Sequence, residues 1–259
     1  MLPLLIDLDG VLRIDGKPAS GAKEFTAWIH HRNVKACILS NSTRLPPSAI
    51  VSFFEANNTS LSGIQVHTAL LAAHDYVKER FKSISVFCDD LSKGVFDDIV
   101  QNDTPEAVVV GDLGKGWDYD AMNRIFNMAM GGAEIIAMQM NKFQKEEGKL
   151  TLDAGPFIAA IEYATGKKAT LIGKPSKIFF ATALKKSGFN ENADFIMLGD
   201  DLEADIQAAQ NAGGKGMLLL TGKTTTAMLA ASPIKPDFLA ANLTEAMEML
   251  STLAPNFKL

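Results

Sequence analysis

Two aspartates one residue apart, Asp7 and Asp9, close the apolar run LPLLI and are followed at once by Gly10. Three more polar groups end apolar runs in the same way. Ser40 and Asn41 follow VKACIL, Lys174 follows LIG ahead of Pro175, and Asp200, Asp201 and Asp205 follow FIMLG. Two carboxylates as close as Asp7 and Asp9 repel unless a cation stands between them or one holds a proton. Oxygen donors of this kind suit Mg²⁺, a hard cation that takes few carboxylates and keeps part of its water.

The chemistry these groups suggest is phosphoryl transfer. Mg²⁺ and Lys174 would neutralise phosphate oxygens, and the Ser40 hydroxyl with nearby backbone N–H groups would hold the remainder. An aspartate would attack phosphorus to form an acyl phosphate, which divides one hard step into two easier ones. A second carboxylic acid would protonate the leaving oxygen and later take a proton from water. Asp7 and Asp9 have the chemistry for these two roles, and position alone leaves open which takes which. A single aspartate at a strand end is often a turn former or helix cap, and Lys174 can be a solvated loop lysine. Four polar clusters, each at the end of an apolar run, are what that reading explains badly.

The elements that must hold these groups alternate along the chain. Short apolar runs at 3–6, 34–39, 83–90, 107–111, 133–138, 169–173, 193–199 and 215–222 read as strands buried on both faces. Between them, 22–32, 48–58, 67–81, 119–132, 156–166, 176–188 and 201–213 read as helices, and the tail 236–250 as a short strand and a final helix. The polar stretch NKFQKEEGKLTLDAG (141–155) reads as an exposed hairpin or loop. This alternation predicts an α/β fold with a Rossmann-like parallel sheet, and such sheets bind ligands beyond the carboxyl ends of their strands. The βα units are too many for one small sheet. Residues 1–81 and 170–259 are therefore expected to form the catalytic core, and 82–169 an inserted α/β cap. Asp7 and Asp9, two apart, share one side if the strand stays extended past Ile6.

The 259 residues, 47% of them hydrophobic, are enough for a sizeable core. A net charge of −5, with basic residues in runs no longer than pairs such as Lys167 and Lys168, argues against a nucleic-acid partner. No stretch approaches a membrane span, and the first apolar run reads as a strand rather than a signal peptide. Cys37 and Cys88 lie in apolar runs without a CxxC, which fits reduced thiols and a cytoplasmic location.

The set DLDGV (7–11), LSNST (39–43), GKPS (173–176) and GDDLEAD (199–205) resembles the four motifs of the haloacid dehalogenase-like phosphatases, in their usual order. The resemblance implies that Asp7 is the nucleophile and a metal ligand. It implies that Asp9 is the general acid/base and gives its backbone carbonyl to Mg²⁺, a residue that favours phosphate ester hydrolysis. Ser40 and Asn41 would hold the phosphoryl group and Lys174 would stabilise the nucleophile. Asp200 and Asp205 would complete the metal site, Asp205 through the metal or its water, with Asp201 the less critical neighbour. The long interval from Ser40 to Lys174 resembles the NagD-like branch, whose large cap sits there. Residues 150–176 resemble the stretch found in its phospholysine, phosphohistidine and inorganic pyrophosphate phosphatases. A homodimer through the cap is implied in the same way. Where other members of the branch carry Asn-Pro-Asp in the cap, this chain has Gln139, Met140 and Asn141. Asp153 and Gly155, ahead of a helix expected at Pro156, are candidates for touching the substrate.

Other features lead elsewhere. LLLTGKTT (218–225) suggests a phosphate loop, but the glycine that motif needs is Met217. His30, His31, His67 and His74 lack metal spacing, though His67 and His74 are expected on one helix. The eleven methionines would fill the cap core or a subunit contact. The expected activity is hydrolysis of a small phosphorylated molecule: a phosphomonoester, a pyrophosphate or an N-phosphorylated amino acid. The alternatives are a phosphotransferase or mutase on the same core, or a weakly active interaction protein.

Overall fold

A computed structural model describes residues 2–146 and 149–253. The chain forms two compact units, one of residues 1–40, 47–67 and 174–259, the other of 41–46 and 68–173.

The first unit is built on a six-stranded sheet. Its order is Phe238–Ala240, Lys215–Leu219, Ile196–Gly199, Leu4–Asp7, Ala36–Ser40 and Gln65–Thr68. Leu4–Asp7 pairs in parallel with both neighbours, Ile6 opposite Leu198 on one side and Asp7 opposite Leu39 on the other. These three central strands are apolar up to their last residue because both faces are covered: Leu5, Ile6, Ile38, Leu39, Met197 and Leu198 are all fully buried. From the central Leu4–Asp7 strand the chain first builds to one side, then returns after the second unit to build on the other. That reversal is the point where strand ends part and leave room for a ligand. It brings the ends of Leu4–Asp7 and Ile196–Gly199 side by side.

The second unit has its own five-stranded sheet, in the order Thr170–Leu171, Glu134–Ala137, Ala107–Val110, Ser83–Phe87 and Val100–Gln101, with every pairing parallel. Helices Tyr119–Met130 and Ala154–Thr165 bury Ile125, Ala129, Ile158 and Ile161 against Val108, Val110 and Ile135. The polar stretch is a hairpin, Phe143–Glu146 antiparallel to Lys149–Leu152.

Several boundaries differ from the sequence reading, each for a local reason. The helix Ala69–Arg80, read as part of the core, lies in the second unit, where His74 packs on Phe96 and Lys78 pairs with Asp98. His67 stands on a strand and not on that helix; its Nε2 lies 3.0 Å from Thr182 Oγ1 and its ring stacks on Phe179. The strand expected over 83–90 stops at Phe87, because Asp89 turns to cap the next helix at Leu91 N. The strand leading to Lys174 is short and pairs with Glu134–Ala137, so the first unit resumes at 174 rather than 170. The helix expected over 201–213 begins as a wide π turn, Leu202–Gln207, in which Ile206 N donates to Asp201 O five residues back.

Candidate active site

Three carboxylates and one ammonium meet where the central strands end. Lys174 Nζ donates to Asp7 Oδ1 at 2.5 Å and to Asp205 Oδ1 at 2.7 Å, with all three residues buried. One oxygen from each of Asp7, Asp200 and Asp205 falls within a 4.8 Å cluster. Asp205 is held by the turn it stands on, since its Oδ2 accepts from the backbone N–H of both Asp200 and Asp201, each at 3.2 Å. The π turn serves this arrangement: Asp201 caps it by accepting from Glu203 N and Ala204 N, and Asp205 folds back over the strand end. Asp200 Oδ2 accepts from Lys223 N at 2.5 Å. Ser40, buried, ends the strand beside Leu4–Asp7, where Leu8 N donates to Leu39 O.

The electrostatics of the cluster follow from burial. Burial lifts the Asp7 carboxyl well above its usual value; Lys174 opposes this, and the Asp205 and Asp200 carboxylates add to it. Burial likewise pushes Asp200 up to about 6, with Asp205 reinforcing the shift. For Lys174, burial pulls downward but the Asp205 and Asp7 carboxylates outweigh it, so the ammonium is held charged. Burial raises Asp201 too, but its hydrogen bond from Lys223 prevails and the net shift is downward. With all three carboxylates ionised against one ammonium, two negative charges remain, which a divalent cation would balance. The donors are all oxygen, so the residues fit a hard divalent metal.

Asp9 is not in this cluster. The extended backbone ends at Asp7: Leu12 N and Arg13 N both donate to Leu8 O, Gly10 N donates to Arg13 O, and Gly10 takes a φ of 95°. The turn swings Asp9 outward, where its carboxylate is gripped at both oxygens by Arg13, Nε at 2.7 Å and Nη2 at 2.9 Å. Arg13 lies over the Phe53 ring, 5.5 Å from its centroid. The expectation that Asp7 and Asp9 face one region is therefore corrected: alternation stops where the strand stops.

Asn41, Asp153 and Gly155 belong to the second unit. Asp153 is the N-cap of Ala154–Thr165, accepting from Ala154 N at 2.7 Å and from Gln139 Nε2 at 2.5 Å. Burial raises its carboxyl above the usual range, and these hydrogen bonds hold it back. The helix thus starts at Ala154, two residues before Pro156. Gly155 sits in its first turn because a Cβ there would meet the backbone carbonyls of Met140 at 2.5 Å and Asn141 at 2.6 Å. Sequence reasoning missed two partners. Arg13 carries a usable signal, an opposite charge four residues from Asp9. Lys223 carries none, because its contact with Asp200 is made by the backbone.

Comparison with known proteins agrees with this geometry. Residues 4–98 match the haloacid dehalogenase-like hydrolase family and residues 171–246 match a related HAD-hydrolase-like family. The chain is 34% identical over 220 residues to the haloacid dehalogenase-like hydrolase domain-containing protein 2 of Bos taurus, covering 85% of this chain and 84% of that protein. It is 30% identical over 253 residues to the phospholysine phosphohistidine inorganic pyrophosphate phosphatase of the same organism, covering 95% and 93%. The 4-nitrophenylphosphatase of Thermotoga maritima has the same fold, with a TM-score of 0.86, 27% identity and coverage of 96% and 97%. The NagD protein of E. coli shares the fold with a TM-score of 0.85 at 23% identity, covering 95% and 98%. The motif order, the buried acid cluster and these similarities converge: the chain belongs to the haloacid dehalogenase-like hydrolases, as a phosphatase with the fold of their NagD-like branch.

Proposed function

We propose that this phosphatase uses Mg²⁺ and works with Asp7 as nucleophile, Asp9 as general acid/base, and Ser40, Asn41 and Lys174 on the phosphoryl group. The observation that carries the reading is the buried ammonium of Lys174 between Asp7 and Asp205, with Asp200 completing the acid cluster. Asp7, Asp200, Asp205 and the backbone carbonyl of Asp9 would hold the metal. When bound, it supplies positive charge to the phosphate oxygens and to the ionised form of Asp7. An Asp7 carboxylate oxygen attacks phosphorus, the bond from phosphorus to the leaving group breaks, and Asp9 gives its proton to the leaving atom. A water then attacks phosphorus, Asp9 takes its proton, and the bond from phosphorus to Asp7 breaks to free phosphate. Asp9 must leave Arg13 to do this, and its exposed position at a turn leaves it that freedom.

The substrate class is a small phosphorylated molecule: a phosphomonoester, an inorganic pyrophosphate or an N-phosphorylated amino acid. The relatives that share its sequence along most of its length include a phosphatase named for the last two. A homodimer through the second unit is supported by the hairpin, whose Phe143, Leu150 and Leu152 are exposed. Both free thiols, Cys37 and Cys88, are buried and pushed up to about 12 by that burial, which supports a reducing, cytoplasmic setting. No helix among the described residues is long and apolar enough to cross a membrane.

The test is phosphate release from an aryl phosphate, pyrophosphate, phospholysine and common phosphomonoesters, with Mg²⁺ or with chelator. Mg²⁺-dependent release is expected, and Asp7→Asn should lower it by about 10³-fold or more. Undiminished release in chelator would overturn the metal assignment. Label passing to an added acceptor rather than to water would replace hydrolysis with phosphotransfer.

A further inference from the structure

The stretch LLLTGKTT, which fails as a phosphate loop, has another place in the structure. It continues the strand Lys215–Leu219, which pairs in parallel with Ile196–Gly199 so that Leu218 stands opposite Gly199. The loop that follows therefore emerges beside the one carrying Asp200, and it is bonded to both strand-end loops of the site. Lys223 N donates to Asp200 Oδ2 at 2.5 Å, and Thr224 N donates to Asp200 O at 3.1 Å. On the other side, Thr221 Oγ1 donates to Gly10 O at 2.5 Å, in the turn that follows Asp7. Lys223 Nζ also pairs with Asp201. Gly222 fits tightly between them: a Cβ at this position would fall on the Asp200 carboxylate and lie 2.8 Å from Gly10 Cα.

We propose that Thr221–Thr224 is a positioning loop for the metal site, which fixes the Asp200 carboxylate and ties it to the turn behind the nucleophile. The reasoning rests on Asp200 being a metal ligand. A carboxylate free to rotate must be ordered when the cation arrives, and that ordering weakens binding. One held by a backbone N–H from a rigid loop is ordered by folding instead, and such outer partners typically set metal affinity by about 10–100-fold. Thr221 does the same for the other half of the site, since the Gly10 carbonyl it holds lies three residues from Asp7. Neither Thr221 nor Gly222 needs to touch metal or substrate to act in this way.

The test is Mg²⁺ binding by calorimetry to the wild-type protein, Gly222→Ala, Thr221→Val and Thr221→Ser. The melting temperature of each metal-free protein is measured alongside. Gly222→Ala should displace the Asp200 carboxylate and weaken Mg²⁺ binding by about 10–100-fold. Thr221→Val keeps the shape and loses the hydroxyl; it should bind Mg²⁺ several-fold more weakly, and its turnover should recover at high Mg²⁺. Thr221→Ser, which keeps the donor, should bind as the wild type does. Should Gly222→Ala fail to fold, the threonine pair alone decides. A lower melting temperature with Mg²⁺ affinity unchanged in Thr221→Val would make the loop merely structural and overturn the proposal. Wild-type protein that takes up no Mg²⁺ would overturn the metal reading as well, so the two failures are distinct.

Discussion

Lys174 is buried between two carboxylates, and its worth depends on whether a metal is present. In the metal-free protein it is the cation held directly against Asp7 and Asp205, so Lys174→Ala leaves buried acids uncompensated. Breaking a buried pair in this way costs about 3–5 kcal/mol, and Mg²⁺ should restore part of the lost melting temperature. Turnover should stay about 10²–10³-fold low even when Mg²⁺ saturates, because the preorganised charge proposed to act on the transferred group would be lost. Full recovery of turnover would show that Lys174 is only a counter-ion. The acids also make stability depend on pH. Asp200 is raised from 3.8 to about 6. A carboxyl with a raised folded value costs stability as pH climbs through that window, and the cost is complete above it. The metal-free fold should therefore lose stability between about pH 4 and pH 6 on account of this group. Mg²⁺ held as proposed would bind the ionised form of Asp200 and displace a proton below about pH 6, so its stabilising effect should be larger at about pH 7.5 than at about pH 5. Melting curves with and without Mg²⁺ at the two pH values check the sign.

Elements decide which of the site residues could be read in advance. The strand ends that carry Asp7, Ser40 and Asp200 were legible because an apolar run followed by a polar residue is a local pattern. The parallel rule for strand ends then places such residues together. The direction of Asp9 was not legible, because it depends on Leu8 O accepting two N–H groups and on Gly10 adopting a positive φ, which alternation alone does not encode. The π turn at Leu202–Gln207 was hidden for a related reason: its sequence has an ordinary helical pattern, and the widening comes from Asp205 reaching back to the N–H groups of Asp200 and Asp201. Asp153 shows the opposite case. Its residue type invited a substrate role, while its contacts are those of a helix cap with a glutamine partner. Asp153→Ala should cost about 1–2 kcal/mol through the lost cap and the stranded Gln139, whereas Asp153→Asn should cost less. If the contacts of Asp153 are its whole role, the order of preferred phosphorylated substrates is unchanged in both variants. A reordered panel would return it to the substrate site.

At the scale of the whole molecule, one feature among the described residues that asks for a partner is the hairpin of the second unit. Phe143 stands opposite Leu152, and Leu150 lies two residues along on the same face. Their exposures of 56%, 61% and 71% leave three large apolar side chains in water on one side of a two-stranded ribbon. On the other side Gln144 turns toward Asp112, and the Thr151 hydroxyl oxygen is buried, so the ribbon has a distinct inner and outer face. A two-stranded ribbon is marginal by itself, and apolar residues gathered on one exposed face commonly mark an interaction surface. A second copy of the chain presents the same face, and a two-fold contact would cover both at once. Light scattering should find a dimer at micromolar concentration, and Phe143→Ser combined with Leu150→Ser should shift it to monomer with the metal-free melting temperature nearly unchanged. The acid cluster and Lys174 come from the first unit, and neither Phe143 nor Leu150 is among the residues proposed to act on phosphate, so the monomeric variant should still release phosphate from an aryl phosphate at a rate within about threefold of the parent. A wild-type protein that is monomeric throughout would assign the hairpin face to a different occupant. Loss of aryl phosphatase activity on monomerisation would mean that the dimer does more than cover it.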